Sequence, residues 1–256
     1  MAVELIQRDD VAVVTMVDDG KRNTLSGSHV EQMLNAFAQA RDARAIIIAA
    51  RGKVFCAGAD ISAFAATEKA AGDESAKLES PAMNLFQALL AEKRLVIAAV
   101  QGGAFGGGFE MTLCCDLVVA APEAFFMFPE AGFGALPPIG LARLPRLIGA
   151  RRTLELAAMR RKLLASEAFS MGLVSRVVPA TELIDDAVAL AREAVATGAP
   201  GSIAAIKAAL AETVENLPQA AERYSSRLVE AEWREGFSAF VEKRPIDFTR
   251  FWKSRT

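Results

Sequence analysis

The stretch Leu95-Val-Ile-Ala-Ala-Val100, followed by Gln101-Gly-Gly-Ala-Phe-Gly-Gly-Gly108 and then Phe109-Glu-Met-Thr-Leu-Cys114, carries the reading of the fold. Six apolar residues without alternation predict a strand covered on both faces. The glycine run predicts a tight exit from that strand, and Phe109 to Cys114 a helix. Outward from this unit the pattern repeats. Leu117 to Ala120 predicts another strand, and upstream Ala45 to Ala50 (AIIIAA) a further buried one, ending in the loop Arg51 to Asp60. A helix over Met83 to Leu90 stands between them. Strand, loop and helix in alternation require crossovers, hence an α/β fold with a largely parallel sheet.

Nearer the N-terminus, Val3 to Ile6 and Val11 to Met16 flank Arg8, Asp9 and Asp10 and predict a β-hairpin. Asp18 to Asn23 follows as a polar loop. Ser26 or Ser28 can then cap a helix whose Val30, Met33, Leu34 and Phe37 share one face. Glu68 to Ser80 is small and charged and reads as a loop. Beyond Pro145 the pattern is helical: Arg151 to Met159, Ser166 to Met171, Glu182 to Ala196, Ser202 to Val214 and Pro218 through Phe240, with one strand at Val174 to Val178. We expect a core over residues 1–195 and a helical region over 196–256, which would build an oligomer interface, close a pocket or form a packing layer.

The 256 residues, 52% hydrophobic, are enough to bury one large core. With 29 Lys and Arg against 31 Asp and Glu, the net charge of −2 offers no field to gather nucleic acid or an anionic membrane. An anionic ligand must therefore meet a local basic group. Cys56, Cys114 and Cys115 have no CxxC spacing and read as buried thiols of a reducing compartment. No apolar run approaches the roughly 18 residues of a membrane span, and Glu4 and Arg8 break up the N-terminus too early for a signal peptide. We expect a soluble cytoplasmic protein that binds neither nucleic acid nor membrane.

Missing side chains at Gly106, Gly107 and Gly108 let backbone N–H groups approach a ligand. The run lacks the Lys-Ser/Thr ending of a phosphate-binding loop and the register of a dinucleotide fingerprint. A second loop, Phe55-Cys-Ala-Gly-Ala-Asp60, also leaves a buried strand and is also built of small residues. Two N–H groups at the carboxyl ends of parallel strands can converge on one oxygen, an arrangement suited to an enolate or tetrahedral oxyanion.

Phe55-Cys-Ala-Gly-Ala-Asp-Ile61, Ile97 through Glu110, Cys115-Asp116, Phe128-Pro-Glu130 and Gly236 through Lys243 closely resemble successive blocks of the enoyl-CoA hydratase/isomerase (crotonase) family. The resemblance runs over nearly the whole chain, in order. It implies a right-handed spiral of ββα units with a C-terminal helical trimerisation region, assembled as a homotrimer or dimer of trimers. It implies an acyl-CoA thioester substrate and no metal or redox cofactor, coenzyme A being part of the substrate. The N–H groups of Ala59 and Gly107 match the family's oxyanion hole, and Ala59, Asp60, Ile61 and Ser62 match the segment contacting coenzyme A. Lys243 matches a residue that reaches a neighbouring subunit's coenzyme A phosphates, with Tyr224 near a related contact.

Glu110 and Glu130, twenty residues apart, match the two carboxylates of the hydratases. In a hydration one carboxylate takes a proton from the water attacking Cβ, and the other, kept neutral by an apolar pocket, delivers one to Cα. Phe125, Phe126, Phe128 and Phe133 are expected to wall that pocket, and Leu85, Phe86, Leu89, Met127 and Met159 to line it or the core. The departure lies at Leu136-Pro-Pro-Ile-Gly-Leu141, where Pro138 replaces a glycine whose N–H helps hold the catalytic water in those hydratases. A shifted loop would present Ile139 instead. The reading is therefore an enoyl-CoA hydratase, with Δ3-Δ2 isomerisation by Glu130 as single base, or a non-catalytic acyl-CoA binder, as the alternatives. His29, the sole histidine, reads as an ordinary helix residue, and Asp60 and Asp116, beside the site, as turn or cap carboxylates.

Overall fold

A computed structural model describes residues 2–18, 20, 22–60, 80–211 and 231–246. The hairpin forms as β1 (Ala2–Arg8) and β2 (Val11–Val17), antiparallel. From there the chain deals its strands alternately into two sheets. β3 (Ala45–Ala50), β5 (Leu95–Val100) and β7 (Leu117–Ala120) join one sheet; β4 (Val54–Cys56), β6 (Gly103–Phe105) and β8 (Phe125–Met127) join the other. With β9 (Leu163–Leu164) and β10 (Arg176–Val177), the orders are β1-β2-β3-β5-β7-β10 and β4-β6-β8-β9. Apart from β1/β2 and β8/β9 every pairing among the described residues is parallel.

The helices are α1 (Gly27–Gln39), α2 (Pro81–Ala91), α3 (Gly107–Cys114), α4 (Pro138–Ile148), α5 (Ala150–Ala158), α6 (Ala165–Ser170), α7 (Leu183–Thr197), α8 (Pro200–Ala211) and α9 (Ala231–Glu242). A pair of strands, one per sheet, followed by a helix is the repeating unit, as in β5-β6-α3. Ser26 is the residue that caps α1, its side chain accepting from the His29 N–H at 3.3 Å.

The larger sheet is apolar on both faces. Val14, Met16, Ile46, Ile48, Val96 and Ala98 pack toward α1 and α2, while Val11, Val13, Ala45, Ile47, Ile97 and Ala99 pack against Leu183, Ala187, Val188 and Ala191 of α7. The alternation follows from the two-residue period of a strand. It explains why these segments read as unbroken apolar runs.

Three expectations are corrected. The loops 51–60 and 101–108 each contain a short strand, β4 and β6. These strands are too brief for a periodic signal. Val174 to Val178 forms strand only over Arg176–Val177. Helical structure begins at Pro138 rather than beyond Pro145, which lies inside α4. Proline removes one helical hydrogen bond, yet Leu144 and Ile148 are buried and hold that helix in place. The segments 68–79, 212–214 and 218–230 lie outside the described residues.

The carboxyl end of β4 and the start of α3 touch so closely that a Cβ on Gly108 would lie 2.4 Å from the Cys56 carbonyl oxygen and 2.7 Å from its Cβ. Backbone on both sides leaves nothing to yield. We predict that Gly108→Ala costs about 3 kcal/mol or more through overpacking, lowering the thermal midpoint by roughly 5–10 °C for a chain of this size. Thermal unfolding followed by circular dichroism checks it.

Candidate active site

Strands β4 and β6 pair in parallel, Val54 with Gly103 and Cys56 with Ala104, so both chains leave the sheet side by side. β4 runs out into Ala57-Gly58-Ala59, and β6 into Gly106 and the first turn of α3. Gly58, at φ 87°, lies under the second strand: a Cβ there would be 2.8 Å from the Phe105 carbonyl oxygen and 3.2 Å from the Gly107 nitrogen. A Cβ on Gly107 would in turn be 3.6 Å from the Ala59 nitrogen. The two amides expected to face one oxygen are therefore neighbours, and both border the same cavity. Gly107 heads α3, where an N–H has no partner within the helix and the helix dipole adds its own positive field.

Gly106 adopts φ 50°, ψ −121°, a conformation open to glycine alone, and a Cβ there would lie 2.7 Å from Glu130 Oε1. Its N–H donates to the Met127 carbonyl at 2.9 Å, tying the end of β8 to the start of α3. Glu130 opens the 3-10 turn Glu130–Phe133 and reaches back across Gly106, with its Oε2 shielded from solvent and without a hydrogen-bond partner.

Glu110 sits one turn into α3 and is 4% exposed. Its Oε1 accepts from the N–H groups of Ile139 at 2.7 Å and Gly140 at 3.1 Å. These are first-turn amides of α4, which a helix leaves unpaired and which favour an anion. Pro138 at the head of the helix lacks an N–H but displaces nothing there, because that position needs none. Ile139, which the sequence offered in place of that glycine, gives its N–H to the carboxylate of Glu110.

The two carboxyl groups differ electrostatically for visible reasons. Burial pushes Glu110 up to about 7, against the two amides that pull it down. Burial also holds Glu130 well above the usual carboxylate range, and the charge of Glu110 raises it further. With both donors on Glu110 and none on Glu130 Oε2, the hydrogen bonding favours the negative charge on Glu110 over Glu130.

The cavity between them is walled by Met83 and Phe86 of α2, by Phe133 and Leu136 in and beyond the 3-10 turn, and by Trp233 of α9. Of the expected phenylalanines only Phe133 is there. Phe126 and Phe128 are buried against Phe109, with ring centroids 5.1 and 4.5 Å away, and Phe125 lies edge-on to Phe105 beneath the Lys162 ammonium. Strand alternation turns adjacent residues to opposite faces. Leu85 and Leu89 belong to the core, Phe86 lines the cavity, and Met159 is 72% exposed.

Trp233 was hidden in the sequence, more than a hundred residues from Glu110 and Glu130. Helix α9 comes close because Gly236 rests on the Phe133 backbone, where a Cβ would be 2.4 Å from the carbonyl oxygen. Phe133 and Phe240 meet edge to face at 5.4 Å. The aromatic pair Trp233 and Phe237, one turn apart and stacked at 5.5 Å, was the available signal for this buried face.

Asp116 is not beside the cavity as expected. It accepts from the Val96 N–H, pairs with Lys207 at 2.6 Å, and lines a separate groove with Leu89 and Arg143. His29 is buried, its Nδ1 2.8 Å from the Thr24 carbonyl oxygen. Asp60 follows Ala59 and is half-buried, and Lys243 is exposed at the end of α9. Ile61, Ser62 and Tyr224 lie outside the described residues.

The family model described as enoyl-CoA hydratase/isomerase matches residues 7–251. The chain belongs to the enoyl-CoA hydratase/isomerase family. It is 34% identical over 254 residues to the carnitinyl-CoA dehydratase of Proteus mirabilis, covering 94% of each chain. A crystal structure of an enoyl-CoA hydratase from Mycobacterium avium superposes with a TM-score of 0.79 at 29% identity, over 96% of this chain and 98% of that one. A crystal structure of methylmalonyl-CoA decarboxylase gives 0.82 at 26% identity, over 97% and 98%. The two-sheet spiral is thus the crotonase fold, and its helical C-terminal region is consistent with that fold. Family membership brings acyl-CoA substrates with it, while the relatives' names span dehydration, hydration and decarboxylation. No helix among the described residues is long and apolar enough to cross a membrane.

Proposed function

We propose that this member of the family is an enoyl-CoA hydratase, adding water across the 2,3 double bond of an enoyl-CoA thioester. The observation that carries the reading is a pair of glutamates on one cavity, Glu110 holding two amide donors and Glu130 Oε2 none, beside a pair of converging amides. The thioester carbonyl accepts from Ala59 and Gly107 N–H, which stabilise the enolate as charge moves onto oxygen. Glu110, ionised, takes a proton from water as it attacks Cβ. Glu130, neutral, gives its proton to Cα. The released 3-hydroxyacyl thioester leaves the pair with its protons exchanged, and equilibration with solvent restores them.

This acid/base chemistry calls on no metal or redox group. Coenzyme A enters as part of the substrate, with Ala59, Asp60, Ile61, Ser62, Tyr224 and Lys243 as its proposed contacts. The region from 196 to 256 is proposed to assemble a homotrimer or a dimer of trimers. We place the protein in the cytoplasm.

A second reading has its own support. Ile139, the residue that would replace the missing water donor, gives its N–H directly to Glu110. A Glu110 held in this way does less for a water and leaves Glu130 to shuttle one proton between carbons, which is Δ3-Δ2 isomerisation. In the hydratase reading the two amides instead hold the base ionised and aimed.

The pH profile tests the hydratase reading. Glu110 must be charged, so kcat for crotonyl-CoA hydration is expected to fall as pH drops through about 7. Glu130 must be protonated, and burial with the charge of Glu110 holds its carboxyl well above the usual range, so kcat is expected to fall again on the alkaline side. A rate that stays flat from about pH 5 to about pH 8 would contradict the assignment of Glu110 as base.

A further inference from the structure

Ala59 N–H is one half of the proposed oxyanion hole, and no regular element carries it. β4 ends at Cys56, and the chain from Ala57 to Ala59 is held by a neighbouring segment, Arg22 to Leu25. The Ala57 N–H donates to the Arg22 carbonyl at 3.0 Å, and the Leu25 N–H donates to the Gly58 carbonyl at 2.8 Å. Leu25 and Ala59 form an isolated parallel bridge. The Leu25 side chain, 1% exposed, also abuts the second half: a Cβ on Gly107 would meet its Cδ1 at 3.5 Å. One short segment thus fixes the Ala59 loop through hydrogen bonds and touches Gly107 through packing.

That segment is itself irregular. Arg22 and Asn23 are both left-handed, at φ 55° and 54°, a backbone region that side-chain-bearing residues avoid and asparagine tolerates best. The Asn23 side chain, whose residue is 1% exposed, holds it there. Its Nδ2 donates to the carbonyls of Arg51 and Val54, both at 2.9 Å, at the entrance to β4. Its Oδ1 accepts from the Asp18 N–H at 2.8 Å, and its own N–H donates to the Asp18 carbonyl at 3.0 Å. One buried amide clamps the two ends of its own loop and the strand that delivers Ala57 to Ala59.

We infer that Asn23 is a positioning residue for the oxyanion hole, acting through Arg22 and Leu25 to set the direction of the Ala59 N–H. The inference rests on the acyl-thioester reading of the site. Asn23 touches no substrate, so its loss leaves the walls of the cavity in place and misaims one donor. The consequence falls on ligands that place an oxygen between the two amides and spares those that do not.

The test compares two probes on the purified full-length protein: acetoacetyl-CoA, whose thioester oxygen carries enolate charge, and the butyl thioether of coenzyme A, which has no carbonyl. The variants are Asn23→Gly, which keeps the left-handed backbone while removing the clamp, and Asn23→Asp, which keeps the shape and Oδ1 while losing the amide donors. The wild type should bind acetoacetyl-CoA at least tenfold more tightly than the thioether. Asn23→Gly should lose tenfold or more in affinity for acetoacetyl-CoA, keep thioether affinity within twofold, and lower kcat on crotonyl-CoA more than it raises KM. Asn23→Asp should shift the same way. Loss of both ligands in parallel would show a merely structural residue, and unchanged binding of both would show no role; either overturns the inference. A wild type that does not distinguish the probes would overturn the oxyanion reading itself, and that failure shows before any variant is made.

Discussion

Glu130→Gln is expected to lower kcat for crotonyl-CoA hydration by roughly a thousandfold or more, within the range a positioned acid supplies, while acyl-CoA affinity changes little. The side chain keeps its size and its place over Gly106, where Oε1 lies against the backbone, so the cavity stays intact. The loss is of the proton that burial and the charge of Glu110 keep on this group. The same substitution removes the single base of an isomerase, so both activities should fall together. Stopped-flow turnover with calorimetric binding separates the two effects, and undiminished kcat would remove Glu130 from the mechanism.

Glu110→Gln is the more discriminating change. Hydration is expected to fall by about a hundredfold to a thousandfold, because the amide cannot accept the proton of the attacking water. Isomerisation of a 3-enoyl-CoA, if it is catalysed by Glu130 alone, should survive within a few fold. The variant also carries a stability signature. The folded Glu110 carboxyl titrates near 7, above its ordinary value of 4.5, so the native state binds the extra proton between those values. Its contribution is present below about pH 4.5 and is lost as pH rises through about 7. Glutamine retains the carbonyl that accepts from Ile139 and Gly140 without the buried charge. The variant should therefore melt a few degrees higher than the wild type at about pH 8, and the difference should vanish near pH 4.5. Thermal scans at the two pH values measure it.

Much of the fold was legible because the apolar runs at Ala45 to Ala50, Leu95 to Val100 and Leu117 to Ala120 are buried on both faces, and such strands announce themselves. The second sheet was not, since strands of two or three residues give no period. The positions at the centre of the site stood out in the motif blocks, and the structure brings Ala59, Gly107, Glu110 and Glu130 to one cavity. The walls were misread because Phe126 and Phe128 are aromatic and close in sequence to Glu130, yet turn inward onto Phe109. Trp233 and Asn23 went unseen for a different reason. One arrives from a distant helix, and the other is argued to act through side-chain hydrogen bonds to backbone carbonyls, which leave no spacing in the sequence.

The consequence of Pro138 was also only half visible. The missing N–H was plain, but not that the proline heads a helix whose next two amides cradle Glu110. Whether that cradle serves a base for water or sets Glu110 aside divides the two reactions. The most direct measurement incubates the purified protein with crotonyl-CoA and with a 3-enoyl-CoA in parallel, following the conjugated enone and the products. The account predicts loss of the enone from crotonyl-CoA with formation of a 3-hydroxyacyl-CoA. Appearance of the enone from the 3-enoyl substrate, with crotonyl-CoA left unhydrated, would contradict it.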